Sequence, residues 1–231
     1  MSRPSATSAT SKPSSSRPAP PKSAYVSTET GNKVSRRCQL HGTQHIVLAG
    51  RCVIHPDVCI RGDLFRPTSS SSTSASTNGA QSSQQQQQQQ QQKPKSSGTP
   101  NTVSVSIGRY TIVNQGATLR PPHRLSNNTL SYLPLKIGDH VWIGPHAYIE
   151  AAVIESHCHV GAGAVVGNLA ILKEGCKVLE GCVVPAGMVV PSGAVVGGRP
   201  ARVVGEVGDG WGVGEGEGEG REMREVWRSV G

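Results

Sequence analysis

The sequence is poor in aromatic residues, which make up 3% of its 231 residues and include a single Phe. Aromatic side chains bury the largest areas, so this chain cannot build a large aromatic core. A solenoid does not need one, because each repeat packs on its neighbours. Gly and Pro, with 28 and 16 residues, are plentiful and suit a backbone that turns often.

The chain also lacks three features that would point to particular classes of protein. Its six cysteines show no CxxC spacing typical of a zinc site. No stretch approaches the roughly 18 consecutive apolar residues of a membrane helix, so we predict no membrane span. There is no secretory hydrophobic segment, so we expect a cytoplasmic protein with reduced thiols.

The net charge of +8 is spread unevenly along the chain. Residues 1–24 carry four bases and no acids, residues 66–102 carry three bases and no acids, and residues 203–231 carry three bases and seven acids. Much of the basicity therefore lies in Ser-, Pro- and Gln-rich stretches. Because no nucleic-acid-binding motif accompanies it, we interpret these bases as solvated and predict no nucleic-acid partner.

A six-residue repeat dominates the second half of the chain. An aliphatic residue opens each hexad, and a small or unbranched residue stands two positions earlier. The openers are Ile154, Val160, Val166, Leu172, Val178, Val184, Val190 and Val196, and the earlier positions are Ala152, Cys158, Ala164, Ala170, Cys176, Cys182, Met188 and Ala194. A fixed hexapeptide period predicts a parallel β-helix, in which three hexads complete one triangular coil. The alternative, a β-sandwich, would not keep a six-residue phase.

The resulting fold class is an all-β, single-stranded, left-handed parallel β-helix. The opener of each hexad and the residue two positions earlier are both expected to point into the prism, because side chains alternate along a strand. Successive coils stack at about 4.8 Å. The left-handedness is taken from the known hexapeptide-repeat fold and not from the period. Cys52, Cys158, Cys176 and Cys182 fall at inward positions and are expected to be packing residues.

Composition divides the chain into five segments. We expect a disordered tail at 1–24 and an N-terminal cap with the first coil at 25–66, where Gly31 and Asn32 make a turn. Residues 67–102, rich in Ser and Gln, are expected to be a disordered insertion at one corner. The remaining coils occupy 103–203, interrupted by a loop at 120–136.

Residues 204–231 are expected to hold a Gly/Glu linker followed by a short helix. The stretch 221–230 could form that helix, with Met223, Val226, Trp227 and Val230 on one face. It is shorter than the roughly 12–15 residues that a helix needs to be stable alone in water, so it would need the prism or a partner to hold it.

Three motifs resemble the γ-class carbonic anhydrases, which share this repeat: IRGD at 60–63, IGRYTIVNQGATL at 107–119 and IGDHVWIGPHAYIE at 137–150. That resemblance implies a zinc ion bound by three His. The expected positions hold Arg120, Pro145 and Glu150 instead, so we predict no metal and no cofactor. His140, His146, His157 and His159 lie nearby and are interpreted as surface residues. A divergent anhydrase, or an acyltransferase of the same repeat class, stays open as an alternative.

Four stretches resemble the dynactin subunit 5 family: YVSTETGNKVSR at 25–36, IVLAGRCVIHPDVCIRGDL at 46–64, LRPP at 119–122 and PLKIGDHVWI at 134–143. The resemblance implies a non-catalytic protein of the cytoplasm and cytoskeleton. It implies pairing with dynactin subunit 6 at the pointed end of dynactin, beside the p-sixty-two subunit and the actin-related pointed-end protein. It also implies an indirect role in binding dynein cargo adaptors on endosomes.

The loop at 120–136 and the neighbouring outward aromatics are the candidate partner-binding surface. Exposed aromatic residues and Arg are frequent anchors of protein interfaces. The candidate residues are Arg120, Pro121, Pro122, Tyr132, Leu133, Trp142 and Tyr148.

Overall fold

A computed structural model of the chain describes residues 24–65, 103–126, 128–208 and 219–230. The expected insertion at 67–102, the tail before residue 24 and the linker residues 209–218 lie outside the described residues. Within the described ranges, no helix has the length and apolar character needed to cross a membrane.

The described residues form 23 β-strands, one 3-10 helix at Thr43–His45 and one α-helix, α1, at Glu219–Ser229. In chain order the strands are β1 (Tyr25–Ser27), β2 (Lys33–Ser35), β3 (Gln39–His41), β4 (Ile46–Leu48), β5 (Val53–Ile54), β6 (Cys59–Arg61), β7 (Val105–Ile107), β8 (Ile112–Val113), β9 (Thr118–Leu119), β10 (His123–Ser126), β11 (Thr129–Tyr132), β12 (Leu135–Ile137), β13 (Trp142–Ile143), β14 (Tyr148–Ile149), β15 (Val153–Ile154), β16 (His159–Val160), β17 (Val165–Val166), β18 (Ile171–Leu172), β19 (Lys177–Val178), β20 (Val183–Val184), β21 (Val189–Val190), β22 (Ala194–Gly197) and β23 (Arg202–Glu206).

Three sheets form the walls of a triangular prism. Sheet 1 has the order β1-β2-β5-β8-β13-β16-β19-β22-β23, sheet 2 the order β3-β6-β9-β14-β17-β20, and sheet 3 the order β4-β7-β12-β15-β18-β21. Neighbouring coils pair in parallel, so that His159 lies opposite Lys177, three hexads later. The architecture is a left-handed parallel β-helix, as expected from the hexads together with the known hexapeptide-repeat fold.

The prism core consists of the residues that the repeat places inward. Ile143, Val160 and Val178 are successive openers on sheet 1, and each is fully buried. Cys52, Cys158, Cys176 and Cys182 are at most 1% exposed, which confirms that they are packing residues.

One inward position differs from the prediction. The opener Ile154 follows the opener Ile149 by five positions instead of six, so the corner between them is one residue shorter than in a regular hexad. As a result Ala151 is fully buried, whereas Ala152 is only half-buried. The prediction that Ala152 points inward is therefore wrong, because the shortened corner moves the inward phase by one residue.

The two ends of the prism are covered to different extents. Antiparallel strands close both ends of sheet 1, since β1 pairs with β2 and β23 pairs with β22. At the C-terminal end the last core residues, Val184, Val190 and Val196, are at most 1% exposed. At the N-terminal end Leu40 and Ile46, which face the core, are only half-buried.

Residues 120–136, predicted to be a loop, contain a β-hairpin. Strands β10 and β11 pair antiparallel, with Leu125 opposite Leu130. At the turn Asn128 has φ +58, a left-handed conformation that Asn adopts more readily than most residues. The predicted loop that interrupts the repeat thus contains two short strands paired with each other.

Candidate protein-interaction surfaces

The anhydrase resemblance implies three zinc-ligand positions, and the residues at two of them form an ion pair. Arg120 Nη1 lies 3.0 Å from Glu150 Oε1, and the Glu150 side chain is only 13% exposed. Tyr148 joins them, because its hydroxyl donates to Glu150 Oε1 at 3.0 Å and accepts from Arg120 Nη1 at 3.4 Å. The hydrogen bond with Tyr148 is the main reason why the pKa of the Arg120 guanidinium is raised.

This arrangement does not fit a zinc ion. Neutral imidazoles, thiolates and carboxylates ligate Zn²⁺, whereas the Arg120 guanidinium has no free lone pair and would repel the metal. The side chain of Pro145, at the third position, has no donor atom. Glu150 already has two hydrogen-bonding partners. Among the described residues, no group of three His, Cys, Asp or Glu side chains is placed to hold a metal.

The β10–β11 hairpin and the Arg120 cluster make up one surface of the prism, which we call the hairpin surface. Leu125 and Leu130 are 66% and 51% exposed, and Leu133 is 37% exposed. The hairpin is attached to the prism by Asn168, whose side-chain amide exchanges two hydrogen bonds of 2.8 Å with the backbone of His123. It therefore holds a directly opposed pair of exposed leucines in a fixed position.

Not every predicted partner-binding residue contributes to the hairpin surface. Arg120, Tyr132 and Tyr148 do lie together, but Pro121 and Pro122 are buried and offer no surface to a partner. Trp142 is on sheet 1 and Tyr148 is on sheet 2, so they do not share a face. The seven residues predicted as a single surface are thus divided by the corner between two walls.

Helix α1 covers the outer face of sheet 1 around Trp142. Val226, Trp227 and Val230 pack against a small cluster made of Val53, Ile112 and Trp142. This cluster is separate from the prism core. Two of the three strand residues, Val53 and Ile112, are at most 1% exposed although they point out of the prism.

Two residues that sequence reasoning missed hold the end of α1. Lys33 Nζ donates to the carbonyl oxygens of Trp227, at 2.6 Å, and of Val230. The Trp227 indole N–H donates to the carbonyl oxygen of Gly31 at 2.7 Å. The only sequence signal was the apolar face of the helix, which does not tell where on the prism the helix lies.

Aromatic side chains also stack along the outside of the prism. The ring of Trp142 lies parallel to that of His159, with centroids 6.2 Å apart. Tyr110, His140 and His157 form a second column with centroid separations of 5.0 and 5.3 Å. Burial, and to a smaller extent the charge of Lys177, lowers the pKa of His159 from 6.5 to about 4. These histidines are therefore partly buried stacking residues.

Comparison with known proteins finds one family model that matches about half of the chain. Residues 98–211 match the family model described as dynactin subunit 5. Over these residues the chain is similar to the dynactin subunit 5 family. The match includes the hairpin surface and strands β7 to β23, whereas the first coil and α1 lie outside it.

A curated member of the dynactin subunit 5 family, from Dictyostelium discoideum, is 32% identical over 135 residues. The alignment covers 58% of this chain and 49% of the relative, so the chain spans about half the length of the curated relative that it matches.

Among solved structures, a variant of the N-acyltransferase AntD from Bacillus cereus, in complex with dTDP and coenzyme A, has a TM-score of 0.54 at 9% identity. It aligns with 89% of this chain and 98% of its own. AntD in complex with dTDP and 3-hydroxybutyryl-CoA has a TM-score of 0.52, also at 9% identity, with 89% of each chain aligned. At such low identity these likenesses show a shared fold only.

Proposed function

We propose that the chain is a non-catalytic structural subunit of dynactin, located in the cytoplasm on the cytoskeleton. In this proposal it belongs to the pointed-end complex, pairs with dynactin subunit 6, and contacts the p-sixty-two subunit and the actin-related pointed-end protein. Through that complex it supports the binding of dynein to cargo adaptors.

The observation that carries the proposal is the Arg120–Tyr148–Glu150 cluster within a region that is similar to the dynactin subunit 5 family. In an anhydrase these positions would have to bind a metal. Here they neutralise each other beside an exposed hairpin. This supports a scaffold over the alternative of a γ-class carbonic anhydrase.

Affinity purification from the native cell tests the complex. We expect dynactin subunits to co-purify with the chain, and changing both Leu125 and Leu130 to Asp to reduce their recovery by roughly tenfold, because charges would be buried at the contact. Val189, 52% exposed on sheet 3, provides the matched control as Val189→Asp. Purified protein that contains one zinc ion per chain and hydrates CO₂, with no dynactin subunit recovered, would contradict the proposal.

The N-terminal end of the prism is the end that we propose pairs with dynactin subunit 6. Sheets 2 and 3 finish there at β3 and β4, and edge strands offer unpaired backbone groups to a neighbouring chain. The half-buried Leu40 and Ile46 supply apolar surface at the same end. A second β-helix stacked on this end would pair with the edge strands and cover the apolar surface.

Mixing the two purified subunits tests this pairing. Leu40→Gln should weaken the affinity for dynactin subunit 6 by roughly tenfold, since it places an amide in the apolar contact. Val204→Gln is the control, because Val204 is 61% exposed on β23 at the opposite end. Unchanged circular dichroism would show that the variants stay folded. Equal affinities of the two variants would exclude pairing through the N-terminal end.

A further inference from the structure

We propose that sheet 1 carries a docking groove for an amphipathic helix, which α1 occupies and from which a partner's helix can displace it. The groove consists of Gly31, Lys33, Val53, Ile112 and Trp142. The partner's helix would have to present a Trp next to aliphatic residues near its C-terminal end, as α1 does. This inference concerns a part of the molecule outside the hairpin surface and does not depend on the proposed function.

The floor of the groove is apolar where a β-helix wall normally meets solvent. On sheet 3 the outward Val47 and Val189 are 45% and 52% exposed, as expected for an uncovered wall. On sheet 1 the outward Val53 and Ile112 are at most 1% exposed, because α1 covers them. Trp142 extends this apolar strip across a third coil. The strip therefore needs an apolar cover, and a single helix provides it.

The groove recognises the direction and the identity of the helix as well as its apolar face. Lys33 Nζ contacts the carbonyl oxygens of Trp227 and Val230, which lie at the negative end of the helix dipole. The same ammonium group lies 4.7 Å from the centre of the Trp227 ring. Gly31 accepts the indole N–H. A Phe could fill the same space but could not make that hydrogen bond.

Helix α1 depends on the prism for its structure, and its contact with the prism is incomplete. Helix α1 has 11 residues, fewer than the roughly 12–15 that fold alone, so it is helical only while docked. The side chains of Val226, Trp227 and Val230, which contact the groove, are each only half-buried. The Nε of Arg224 is buried and has no hydrogen-bond partner in the part of the chain that the structure describes.

Covalent attachment gives α1 a large advantage over a free helix of equal affinity. A tethered segment typically has an effective concentration of about 1 mM at its own site. A partner therefore has to bind more tightly than α1, or arrive as part of a larger complex that makes other contacts. A free peptide can therefore bind the groove only when the binding of α1 to it has been weakened.

The probe is a fluorescent peptide with the sequence of residues 219–231, and the receptor is the full-length chain. We expect the Trp227→Ala chain to bind the peptide at least about tenfold more tightly than the wild-type chain, because its own helix no longer fills the groove. Adding Lys33→Ala to that chain should weaken binding by roughly tenfold, since it removes the contact with the helix end. A peptide carrying the same Trp→Ala change should not bind.

Equal binding of the peptide by wild-type and Trp227→Ala chains would overturn the proposal, as would equal binding of the two peptides. Circular dichroism checks that Trp227→Ala leaves the prism folded, and the double change Val226→Ser, Val230→Ser offers an independent way to release the helix. A wild-type chain that is dimeric and becomes monomeric with Trp227→Ala would also overturn it, since the groove would then hold the helix of a second copy.

Discussion

Replacing Gly161 with Val should destabilise the protein by about 3 kcal/mol, because the new side chain collides with the next coil. A Cβ atom at Gly161 would lie 2.6 Å from the backbone nitrogen of Glu180 and 2.8 Å from the carbonyl carbon of Leu179. Both are backbone atoms, so they cannot turn aside as a side chain would. Relief would require the two coils to separate, which breaks the hydrogen bonds between them.

Urea unfolding followed by circular dichroism measures this cost against two graded controls. Gly187 has φ +70, and a Cβ atom added there would meet no other atom within 4 Å, so Gly187→Ala should cost only the roughly 1–2 kcal/mol of a left-handed residue. Gly205 has neither restriction, and Gly205→Ala should be nearly neutral. A Gly161→Val protein as stable as Gly205→Ala would contradict the close stacking of the coils.

Lowering the pH from about 7.5 to about 5 should remove about 2 kcal/mol of unfolding free energy through His159 alone. The pKa of His159 is about 4 in the folded protein, against the ordinary 6.5 expected once the chain unfolds. Between these values the unfolded chain binds more protons, so stability falls as the pH falls and the loss is complete below about pH 4. Burial also lowers the pKa values of His55 and His140, which contribute in the same direction.

The pH dependence of the urea midpoint, compared between variants, isolates the contribution of His159. His159→Gln should flatten the curve between pH 7.5 and 5 by about 2 kcal/mol, because Gln does not titrate. Identical pH profiles for the wild-type and His159→Gln proteins would mean that the His159 ring is not desolvated.

The repeat is what made the prism predictable from the sequence. In each hexad two positions point inward, as Val160 and Cys158 illustrate. Because three hexads complete one coil, counting hexads assigns each residue to one of the three walls. The same rule failed between Ile149 and Ile154, because one missing residue shifts the phase and brings Ala151 inward. The hairpin at 123–132 was missed because a strand pair of four residues each looks like a polar loop when no repeat marks it.

The interaction surfaces were predictable only in part. The motifs show that Arg120 and Glu150 stand where the anhydrase resemblance implies His ligands of zinc. The ion pair between them could not be predicted, because it depends on the stacking of two coils. Trp142 was correctly identified as outward. That it lies under α1 could not be predicted, since Lys33 and Gly31 are some two hundred residues away from Trp227 in sequence. Contacts between distant segments leave no local pattern.

The long connection between the first coil and the rest has a consequence for the order of folding. Pairing β4 with β7 joins strands separated by 56 residues, of which 37 lie between Phe65 and Val103, and closing such a loop costs about 3.5 kcal/mol of chain entropy. Most of the later coils join strands that are three hexads apart, and by the same relation each closure costs about 1 kcal/mol less. In a solenoid, folding can nucleate in one region and propagate to its neighbours. We expect the coils after residue 103 to form the nucleus and the first coil to assemble last, so that on heating it should be the first to exchange its amide protons.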